Sequence, residues 1–390
     1  MKIIHICLCG TVTDGFLYQD NLLPKYHRKL GLQVSVIASK KIHDNDKYVE
    51  TNNIDYYTDD DVHIFRLDSI PNIKYKAKIR KYCGLIKILS AEKPDILFIH
   101  GIQFLEIPEI IGYLRKHPVS QVYLDNHSDF SNSGRNLFSR NILHKVLWRL
   151  NAQLIDPYVT KFYGVLPARV DWLINMYGLK REKCDLLLMG ADDDKVQEAY
   201  DNDWRTKTRL KNGISDKDFL VMTGGVINLA KKQTLLLMKA VRLLNDPKVK
   251  LIVFGSVVPE LKEEFFKLVD NKIVLYNGWL VPEETYHYWA ACDLAVFPGR
   301  HSVFWEQTAG MGIPMVCKYW EGTTHVDTGG NVIFLYDDSV DEIRRVLGDL
   351  ITNKAKYENM KNCAQKNSYV FSYMNIAKKS IRLSDDPSLS

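Results

Sequence analysis

Short apolar runs alternate with longer stretches of helical spacing along almost the whole 390-residue chain. The first run, at residues 2–9, is followed by residues 19–30, whose apolar positions have helical spacing, and then by a second run at 34–38. Strands that alternate with helices form βαβ units, in which successive strands lie parallel in one sheet. The pattern therefore predicts an α/β protein with mostly parallel sheets.

The alternation occurs twice, with a break around residues 183–194 that includes a further short run at 186–188. The first series predicts strands at 2–9, 34–38, 62–65, 96–99 and 122–124. The second series predicts strands at 219–222, 250–254, 273–276, 294–297, 315–317 and 332–334. Two series of similar size predict two Rossmann-like domains with a cleft, which agrees with roughly 150 residues per domain. We place them at 1–190 and 191–365, and expect a C-terminal helix within 366–390 to pack back on the first domain.

Composition narrows the class of protein. Apolar residues are 46% and charged residues 25% of the chain, which excludes a disordered chain, a collagen-like fibre and a coiled coil. The formal net charge of +5 suits an anionic small ligand or an anionic membrane surface, and is too small to predict a nucleic-acid partner. Seven cysteines without a CxxC pair predict reduced thiols. Without a recognisable signal peptide or an apolar run of about 18 residues, we expect a cytoplasmic protein.

Ligands of parallel sheets bind beyond the carboxyl ends of the strands, so the loops after the predicted strands are the candidate sites. One such loop begins with Gly224 and Gly225 and ends with Lys231 and Lys232, just before a predicted helix at 234–244. Glycine lets the backbone approach a ligand, and a helix start favours an anion. This loop is a candidate phosphate site, with a solvated lysine pair as the alternative.

The loop after residues 294–297 leads into a second predicted helix. Its polar start consists of Arg300, His301 and Ser302. Exposed amides at a helix start suit a diphosphate, and Glu306 and Gln307 stand about one turn further on, where they could hold ribose or sugar hydroxyls. The alternative is a helix with a solvated polar face. The next loop, at 318–331, is polar, aromatic and glycine-rich, and is also typical of a ligand loop.

The first half offers fewer candidates. The loop at 10–15 ends in Gly15 and does not have the GxGxxG spacing of a dinucleotide site. His127 follows a predicted strand and stands between Asp125 and Asp129, which suits a proton acceptor or a hydrogen-bond partner for a sugar hydroxyl. His100 has a similar place after another strand. A structural histidine is the alternative at both positions.

Five segments occur in an order that resembles one enzyme family. They are Gly15 with Asp20-Asn21-Leu22-Leu23, Leu188-Met189-Gly190-Ala191-Asp192, Gly225 with Lys232-Gln233, Gly278-Trp279-Leu280, and Phe371-Ser372-Tyr373. Together they resemble the GT-B glycosyltransferases of the retaining, family-4 type, which build bacterial capsule, lipopolysaccharide and teichoic polymers. The resemblance covers nearly the whole chain.

This resemblance implies a GT-B fold and a nucleotide-sugar donor, by family habit UDP-linked, whose hexosyl or N-acetylhexosaminyl group passes to a glycan or lipid-linked acceptor. It implies no metal or other cofactor. Residues with implied roles are His127, Lys232 and Glu306 in catalysis; Gly225, Lys231, Gly278, Trp279, Arg300, His301, Ser302 and Gln307 at the donor; and Gly15 and Asp129 on the acceptor side. Lys232 is the better match to the family's diphosphate lysine, with Lys231 as the alternative.

The chain departs from the family pattern at two places. Val226 stands where the family has an arginine, and Gly299, or alternatively Pro298, stands where it has the first of two glutamates. Gln307 occupies the second glutamate's position, with Glu306 beside it. We assign the hydroxyl-binding role to Glu306 because a carboxylate accepts stronger hydrogen bonds than an amide, and keep Gln307 as the alternative.

Two other functions fit the same pattern, a sugar-nucleotide epimerase and a catalytically silent GT-B subunit that binds sugar or a partner enzyme. Asp59-Asp60-Asp61 and Asp192-Asp193-Asp194 have the spacing of a metal motif, but the first precedes a predicted strand and the second lies in the linker between the two series. Residues 74–82 place five cations among aromatic and apolar residues, and predict peripheral contact with an anionic membrane, with a solvated basic helix as the alternative.

Overall fold

The computed structural model describes residues 1–44, 47–70, 80–118, 120–130, 132–134 and 136–383, and divides into two compact units. The first unit consists of Met1–Leu188 together with the chain from Ile376 onward, and the second of Met189–Asn375. The sequence predicts boundaries at 190/191 and 365/366. The second unit ends at Asn375, which is ten residues after its predicted end.

The first unit is built on one central sheet. The strands of the unit are β1 (Lys2–Cys7), β2 (Gln33–Ser39), β3 (Lys41–Asp44), β4 (Lys47–Glu50), β5 (Asp55–Tyr57), β6 (His63–Leu67), β7 (Ile96–His100), β8 (Gln121–Asn126), β9 (Lys161–Gly164) and β10 (Cys184–Leu186). Within the described residues, eight of them form the sheet in the order β10-β9-β8-β7-β1-β2-β6-β5. All neighbours are parallel except β5 and β6. The apolar runs predicted this sheet because its central strands are buried.

Two parts of this unit carry no apolar signal in the sequence. Strands β3 and β4 form a separate antiparallel hairpin whose residues are mostly exposed. Strand β9 has only four residues, whereas β10 begins two residues before the short apolar run at 186–188 and overlaps it. Exposed or very short strands lack the apolar periodicity on which the prediction depends.

The second unit contains a six-stranded, fully parallel sheet among its described residues, in the order β13-β12-β11-β14-β15-β16. Its strands are β11 (Phe219–Gly224), β12 (Val249–Phe254), β13 (Val274–Tyr276), β14 (Leu294–Phe297), β15 (Met315–Lys318) and β16 (Val332–Leu335). All six confirm the predicted strands. Both sheets therefore confirm the predicted α/β class.

Helices cover the sheets of both units. Those of the first unit are α1 (Gln19–Lys29), α2 (Leu85–Glu92), α3 (Ile107–Lys116), α4 (Arg149–Ile155) and α5 (Pro167–Asn175), with a π-helix at Ser139–Trp148 directly before α4. Those of the second unit are α6 (Asp193–Asp201), α7 (Trp204–Lys211), α8 (Gln233–Leu243), α9 (Pro259–Leu268), α10 (Pro282–Ala291), α11 (Phe304–Gly310), α12 (Val340–Thr352) and α13 (Lys354–Asn367). None of the described helices combines the length and hydrophobicity that a membrane crossing requires.

The last helix, α14 (Tyr373–Ser380), continues from the second unit into the first. Its end packs on the first sheet, where the side-chain hydroxyls of Tyr123 and Tyr163 donate to the carbonyls of Ile381 and Lys379 at 3.2 and 3.3 Å. The chain from Ile376 onward is therefore part of the first unit.

Candidate functional site

The strand order of the second unit places its candidate site between β11 and β14. From this pair the sheet continues through β12 and β13 on one side and through β15 and β16 on the other. Ligands of open α/β sheets bind at such a reversal, beyond the carboxyl ends of the strands. The loops predicted from the sequence, at 224–232 and 298–303, follow β11 and β14 and so lie at this point.

Three glycine turns bring the backbones of adjacent strand ends into contact. Gly225 and Gly255 both have φ of +115°, and a Cβ built on Gly255 would lie 2.0 Å from the carbonyl oxygen of Gly225. The amide of Gly255 donates to the carbonyl of Gly278 at 2.6 Å. Only glycine fits this close approach, since any side chain at Gly255 would collide with the neighbouring loop.

Lys231, and not Lys232, lies against these turns. Its ammonium nitrogen is 3.8 Å from the position of a Cβ on Gly225, and its Cα is 3.3 Å from that on Gly299. Burial lowers the pKa of Lys231, and among the described residues none accepts a hydrogen bond from its ammonium group. Lys232 is exposed at the start of α8. The geometry thus favours Lys231, the alternative of the two predicted lysines.

Glu306 lies completely buried between two histidines from different loops. Its Oε1 accepts hydrogen bonds from His301 Nε2 at 2.7 Å and from His325 Nε2 at 2.8 Å. Burial acts to raise the pKa of Glu306, but His301 and His325 outweigh it and lower the pKa to about 2. Its second oxygen, Oε2, has no hydrogen-bond partner among the described residues. This carboxylate therefore stays ionised, and one of its two buried oxygens has no partner among the described residues.

His325 belongs to the loop at 318–331, which the sequence indicated as a ligand loop without singling out this residue. The position of His325 after β15, the strand that pairs with β14, is a signal from which this residue could have been predicted.

Gln307 points into the body of the unit. Its side chain accepts from Trp289 Nε1 at 3.3 Å and donates to Thr285 Oγ1 at 3.0 Å, and both partners belong to α10. Gln307 therefore fixes α11 to α10, while Glu306 faces the two histidine loops. Of the two residues left open by the sequence, the geometry favours Glu306.

The remaining predicted donor residues differ in their surroundings. Arg300 is exposed, and the hydroxyl of Ser302 accepts from the amide of Phe304 at 3.3 Å. At the start of α11, the amide of Phe304 is bonded to the Ser302 hydroxyl and that of Trp305 to the Ser302 carbonyl at 2.9 Å. Trp279, beside Gly278, is 63% exposed and available for stacking.

Three groups of side chains among the described residues have the chemistry of a metal site, and one of them lies in the second unit. Nitrogens of His301 and His325 and an oxygen of Glu306 all lie within 4.8 Å of one another, a ligand set that zinc accepts. Their hydrogen bonds to one another account for this contact. The aspartate triplets have other partners: Asp192 caps α6 through the amide of Asp194 at 3.1 Å, and Asp61 accepts from Arg28 Nε at 2.9 Å.

The first unit has its own polar cluster at the carboxyl ends of β7 and β8. Asp125 Oδ2 lies 2.8 Å from His100 Nδ1 and 3.4 Å from His127 Nε2, and it accepts from Gln19 at 2.8 Å. Burial opposes the charge on Asp125, but His100 and His127 hold its pKa well below the ordinary value. Burial also opposes the charge on His100, but Asp125 and other nearby groups hold its pKa well above the ordinary value. His127 is the exposed member of this cluster.

A line of buried histidines continues from His100 into the interior. His100 Nε2 lies 2.9 Å from His5 Nδ1, and His5 Nε2 lies 3.0 Å from His27 Nδ1. His27 Nε2 lies 2.8 Å from the hydroxyl of Ser380, on α14. With His100 charged, every ring can donate to the next in one direction, so a single set of tautomers satisfies the whole line. Burial lowers the pKa of His5 and His27.

The two residues predicted on the acceptor side, Asp129 and Gly15, have other surroundings than this cluster. Asp129 is buried and accepts from Arg169 Nε at 2.9 Å, an ion pair that fixes the loop after β8. Gly15 is exposed with φ of +78° and has open space around its Cβ position. The predicted membrane segment at 74–82 falls mostly on residues 71–79, which lie outside the described residues.

Comparison with known proteins rests on structure alone. No family model matches the chain, and no curated protein matches it by sequence. Among solved structures, it is similar to HepE of Anabaena in complex with UDP, at a TM-score of 0.67 and 17% identity over 99% of this chain and 100% of that one. It is also similar to WaaG, a glycosyltransferase involved in lipopolysaccharide biosynthesis, at a TM-score of 0.60 and 14% identity over 98% and 99%.

A third similar structure is a putative UDP-N-acetylglucosamine 2-epimerase from Listeria monocytogenes, at a TM-score of 0.62 and 12% identity over 99% of this chain and 97% of that one. Identities this low establish the fold alone. The chain thus has the fold of the GT-B glycosyltransferases, with two Rossmann-like units, as the resemblance implied.

Proposed function

We propose that this protein is a glycosyltransferase that moves a sugar from a UDP-linked donor to a glycan or lipid-linked acceptor in cell-surface polysaccharide synthesis. The observation that carries the proposal is the position of Lys231, which lies beside Gly225 and Gly299 at the switch point of the second sheet. A cation next to two closely approached backbone turns suits a diphosphate. The structural neighbours that were solved with UDP support the same ligand.

In this reaction the bond between the sugar's anomeric carbon and the diphosphate oxygen breaks, and a bond to the acceptor oxygen forms. The nucleoside diphosphate leaves with the electron pair of the broken bond, and the proton of the acceptor hydroxyl passes to this diphosphate or to solvent. Negative charge grows on the leaving phosphate, so a fixed cation beside it lowers the barrier. We assign this role to Lys231, and include in the proposal a retaining, metal-independent transfer of a hexosyl or N-acetylhexosaminyl group.

Glu306 and His127 have separate roles in this proposal. Oε2 of Glu306 would accept a hydrogen bond from a ribose or sugar hydroxyl of the donor, since Oε1 is already shared by two histidines. His127, next to the charged Asp125, would contact sugar hydroxyls from the first unit. We also propose that the reaction takes place in the cytoplasm, at the inner face of the membrane.

The proposal is tested by incubating the protein with a panel of UDP-sugars, with and without glycan acceptors, and measuring UDP release. Lys231→Ala should lower kcat/KM by an amount equivalent to roughly 2–4 kcal/mol of transition-state stabilisation. Lys232→Ala is the matched control, because the neighbouring lysine is exposed, and its kcat/KM should stay within about threefold of the parent, the range of an exposed charge. Equal losses in both variants would contradict the assignment to Lys231.

The same assay separates the two alternatives. An epimerase would convert the donor into its sugar epimer without any acceptor, which chromatography of the recovered UDP-sugar would reveal. A silent subunit would bind UDP in calorimetry and yet turn over none of the donors. Either result would replace glycosyl transfer as the function.

A further inference from the structure

Two of the three groups with metal-site chemistry lie in the first unit, and both contain His100. One group adds Asp125 and His127, the other adds Cys7 and Asp20, and in each group the ligand atoms lie within 4.8 Å of one another. These side chains come from β1, α1, β7, β8 and the loop that follows β8. Residues that are distant in the sequence therefore converge on one histidine.

The contacts in this cluster are close but are not aligned as hydrogen bonds. Nδ1 of His100 lies 2.8 Å from Asp125 Oδ2 and 3.2 Å from Asp20 Oδ1, and Nε2 of His127 lies 3.4 Å from Asp125 Oδ2. Neither ring nitrogen has a hydrogen-bond partner among the described residues. Nitrogen and oxygen ligands held tetrahedrally at about 2.0–2.1 Å from one zinc ion lie about 3.3 Å apart. The observed separations of 2.8–3.4 Å therefore suit a shared metal ion.

The hydrogen bonds on the other side of His100 determine which of its nitrogens can bind a metal. At the far end of the line, Nε2 of His27 lies 3.2 Å from the carbonyl oxygen of Ala377, which can only accept, and the Ser380 hydroxyl donates its hydrogen to the same carbonyl at 2.8 Å. Nε2 of His27 is therefore a donor, and its Nδ1 accepts from His5. His5 in turn accepts from Nε2 of His100. In neutral His100 the hydrogen is thus on Nε2, and Nδ1 offers a lone pair, which is the form in which imidazole binds a metal.

We propose that His100, Asp125 and His127 bind a zinc ion, with Asp20 as the fourth ligand. Zinc accepts imidazole and carboxylate ligands in a tetrahedral site, whereas magnesium prefers oxygen ligands. Asp125 also has a buried oxygen, Oδ1, without a partner among the described residues. The ion replaces the hydrogen that Nδ1 of His100 carries when the ring is charged, so its binding releases a proton.

The site is open to solvent on one side and connects several elements. The side chain of His127 is 38% exposed and that of Asp20 is 26% exposed, so an ion reaches the site without unfolding of the chain. Once bound, the ion links α1, β7, β8 and the loop after β8, and it should therefore stabilise the first unit. This inference does not depend on the proposed glycosyl transfer, and it gives the ion no part in that reaction.

Titration of the metal-free full chain with zinc chloride tests the proposal, with a chromophoric chelator as the competitor that measures the dissociation constant. His127→Asn should weaken zinc binding by at least about 100-fold, which is the upper end of the cost of losing a hydrogen-bond partner of a ligand. Position 127 is partly exposed, so this variant should fold. His325→Asn is the matched control, because His325 also lies beside a buried carboxylate, that of Glu306, and its replacement should leave the zinc affinity unchanged.

Two further measurements report on the ligands and on the stability of the unit. Cobalt(II), which zinc sites accept, should give the intense visible absorption of a four-coordinate ion in the parent chain and in His325→Asn, and should not give it in His127→Asn. Zinc should raise the midpoint of thermal unfolding of the parent, and EDTA should reverse this rise, because a ligand that binds only the folded state stabilises it. Magnesium chloride at the same concentration should leave the midpoint unchanged. Circular dichroism verifies that each variant is folded before titration.

Four results would overturn the proposal: no binding of zinc by the parent chain, equal zinc affinity of the parent and His127→Asn, loss of binding in His325→Asn alone, or equal stabilisation by zinc and magnesium. The third result would place the ion at Glu306 in the second unit. All of these measurements are made without a sugar donor, so a failure of the zinc site is distinguished from a failure of the proposed enzyme.

Discussion

Each unit of this protein buries a carboxylate beside histidines at the carboxyl end of its sheet, and the two arrangements differ. Asp125 in the first unit faces His100, which is the first member of a line that reaches His27 and Ser380. Glu306 in the second unit receives two histidines on one oxygen, and both come from neighbouring loops. The first cluster extends through the interior, whereas the second is confined to the strand ends.

This difference indicates what each cluster contributes. The line of side chains that begins at Asp125 runs through strands β7 and β1 and helices α1 and α14, so the charge on Asp125 is coupled to the folding of the unit. The histidine partners of Glu306 lie on loops at the strand ends, and the sheet does not depend on these loops for its stability. We therefore expect changes at Asp125 to act mainly on stability, and changes at Glu306 to act mainly on function.

The largest effect should come from Asp125→Asn. This change leaves the buried His100 imidazolium with only the partly exposed Asp20, whose Oδ1 lies 3.2 Å from its Nδ1, and it should lower the free energy of unfolding by about 3–5 kcal/mol. Asp55→Asn is the control, because Asp55 pairs with His63 at 2.7 Å on the surface and should cost at most about 1 kcal/mol. Urea unfolding measures both, and similar losses would show that the line of histidines needs no buried anion.

The glycine turns offer a second contrast between the units. Gly255→Ala should cost about 3 kcal/mol, from left-handed backbone strain together with collision against Gly225. Gly15→Ala should cost about 1–2 kcal/mol, because Gly15 shares the positive φ but has open space around it. Thermal unfolding of the two variants checks the order, and a larger loss at Gly15 would contradict it.

Adjacent residues of α11 provide the third contrast. Glu306→Gln should lower kcat/KM for the donor by an amount equivalent to about 1.5–3 kcal/mol, the value of a hydrogen bond to a charged group. Gln307→Ala should instead lower the free energy of unfolding by about 1–3 kcal/mol, because it leaves Trp289 and Thr285 without their partner. If only Gln307→Ala altered the donor KM, the two assignments would have to be exchanged.

The smallest effect, per pH unit, concerns acid stability. His5 and His27 have pKa values lowered from 6.5, that of His27 to about 3, so their contribution is present above pH 6.5 and is lost as the pH falls below it. Each should reduce stability by about 1.4 kcal/mol per pH unit in that range. The pKa of Glu306 is lowered from 4.5 to about 2, so its contribution is lost only below pH 4.5.

His100 has the opposite sign. Its pKa is raised, so its contribution is complete below pH 6.5 and is lost only as the pH rises through the raised value. Hydrogen exchange between pH 6.5 and 4.5 should therefore increase in β1 before it increases in β14. Equal onset in the two strands, or an earlier onset in β14, would show that the buried histidines do not limit the acid stability of the first unit.

Much of the fold was readable from the sequence because parallel strands are buried on both faces. Their apolar runs predicted all six strands of the second sheet and most of the first. The site was readable only in part. The positions of the loops at 224–232 and 298–303 follow from strand order. The choice between Lys231 and Lys232, or between Glu306 and Gln307, depends on the direction of each side chain. Sequence spacing does not specify this direction for two adjacent residues.

The sequence by itself determined the α/β class, the two strand series and the loops that end their strands, because these depend on local periodicity and on turn residues. The tertiary structure alone decided which side chains meet. His5, His27 and His100 are separated by up to 95 residues, yet they form one line because β1, β7 and α1 pack together. His301, Glu306 and His325 likewise converge only when β14 and β15 pair. Such contacts depend on strand order and register, which no local pattern of residues specifies.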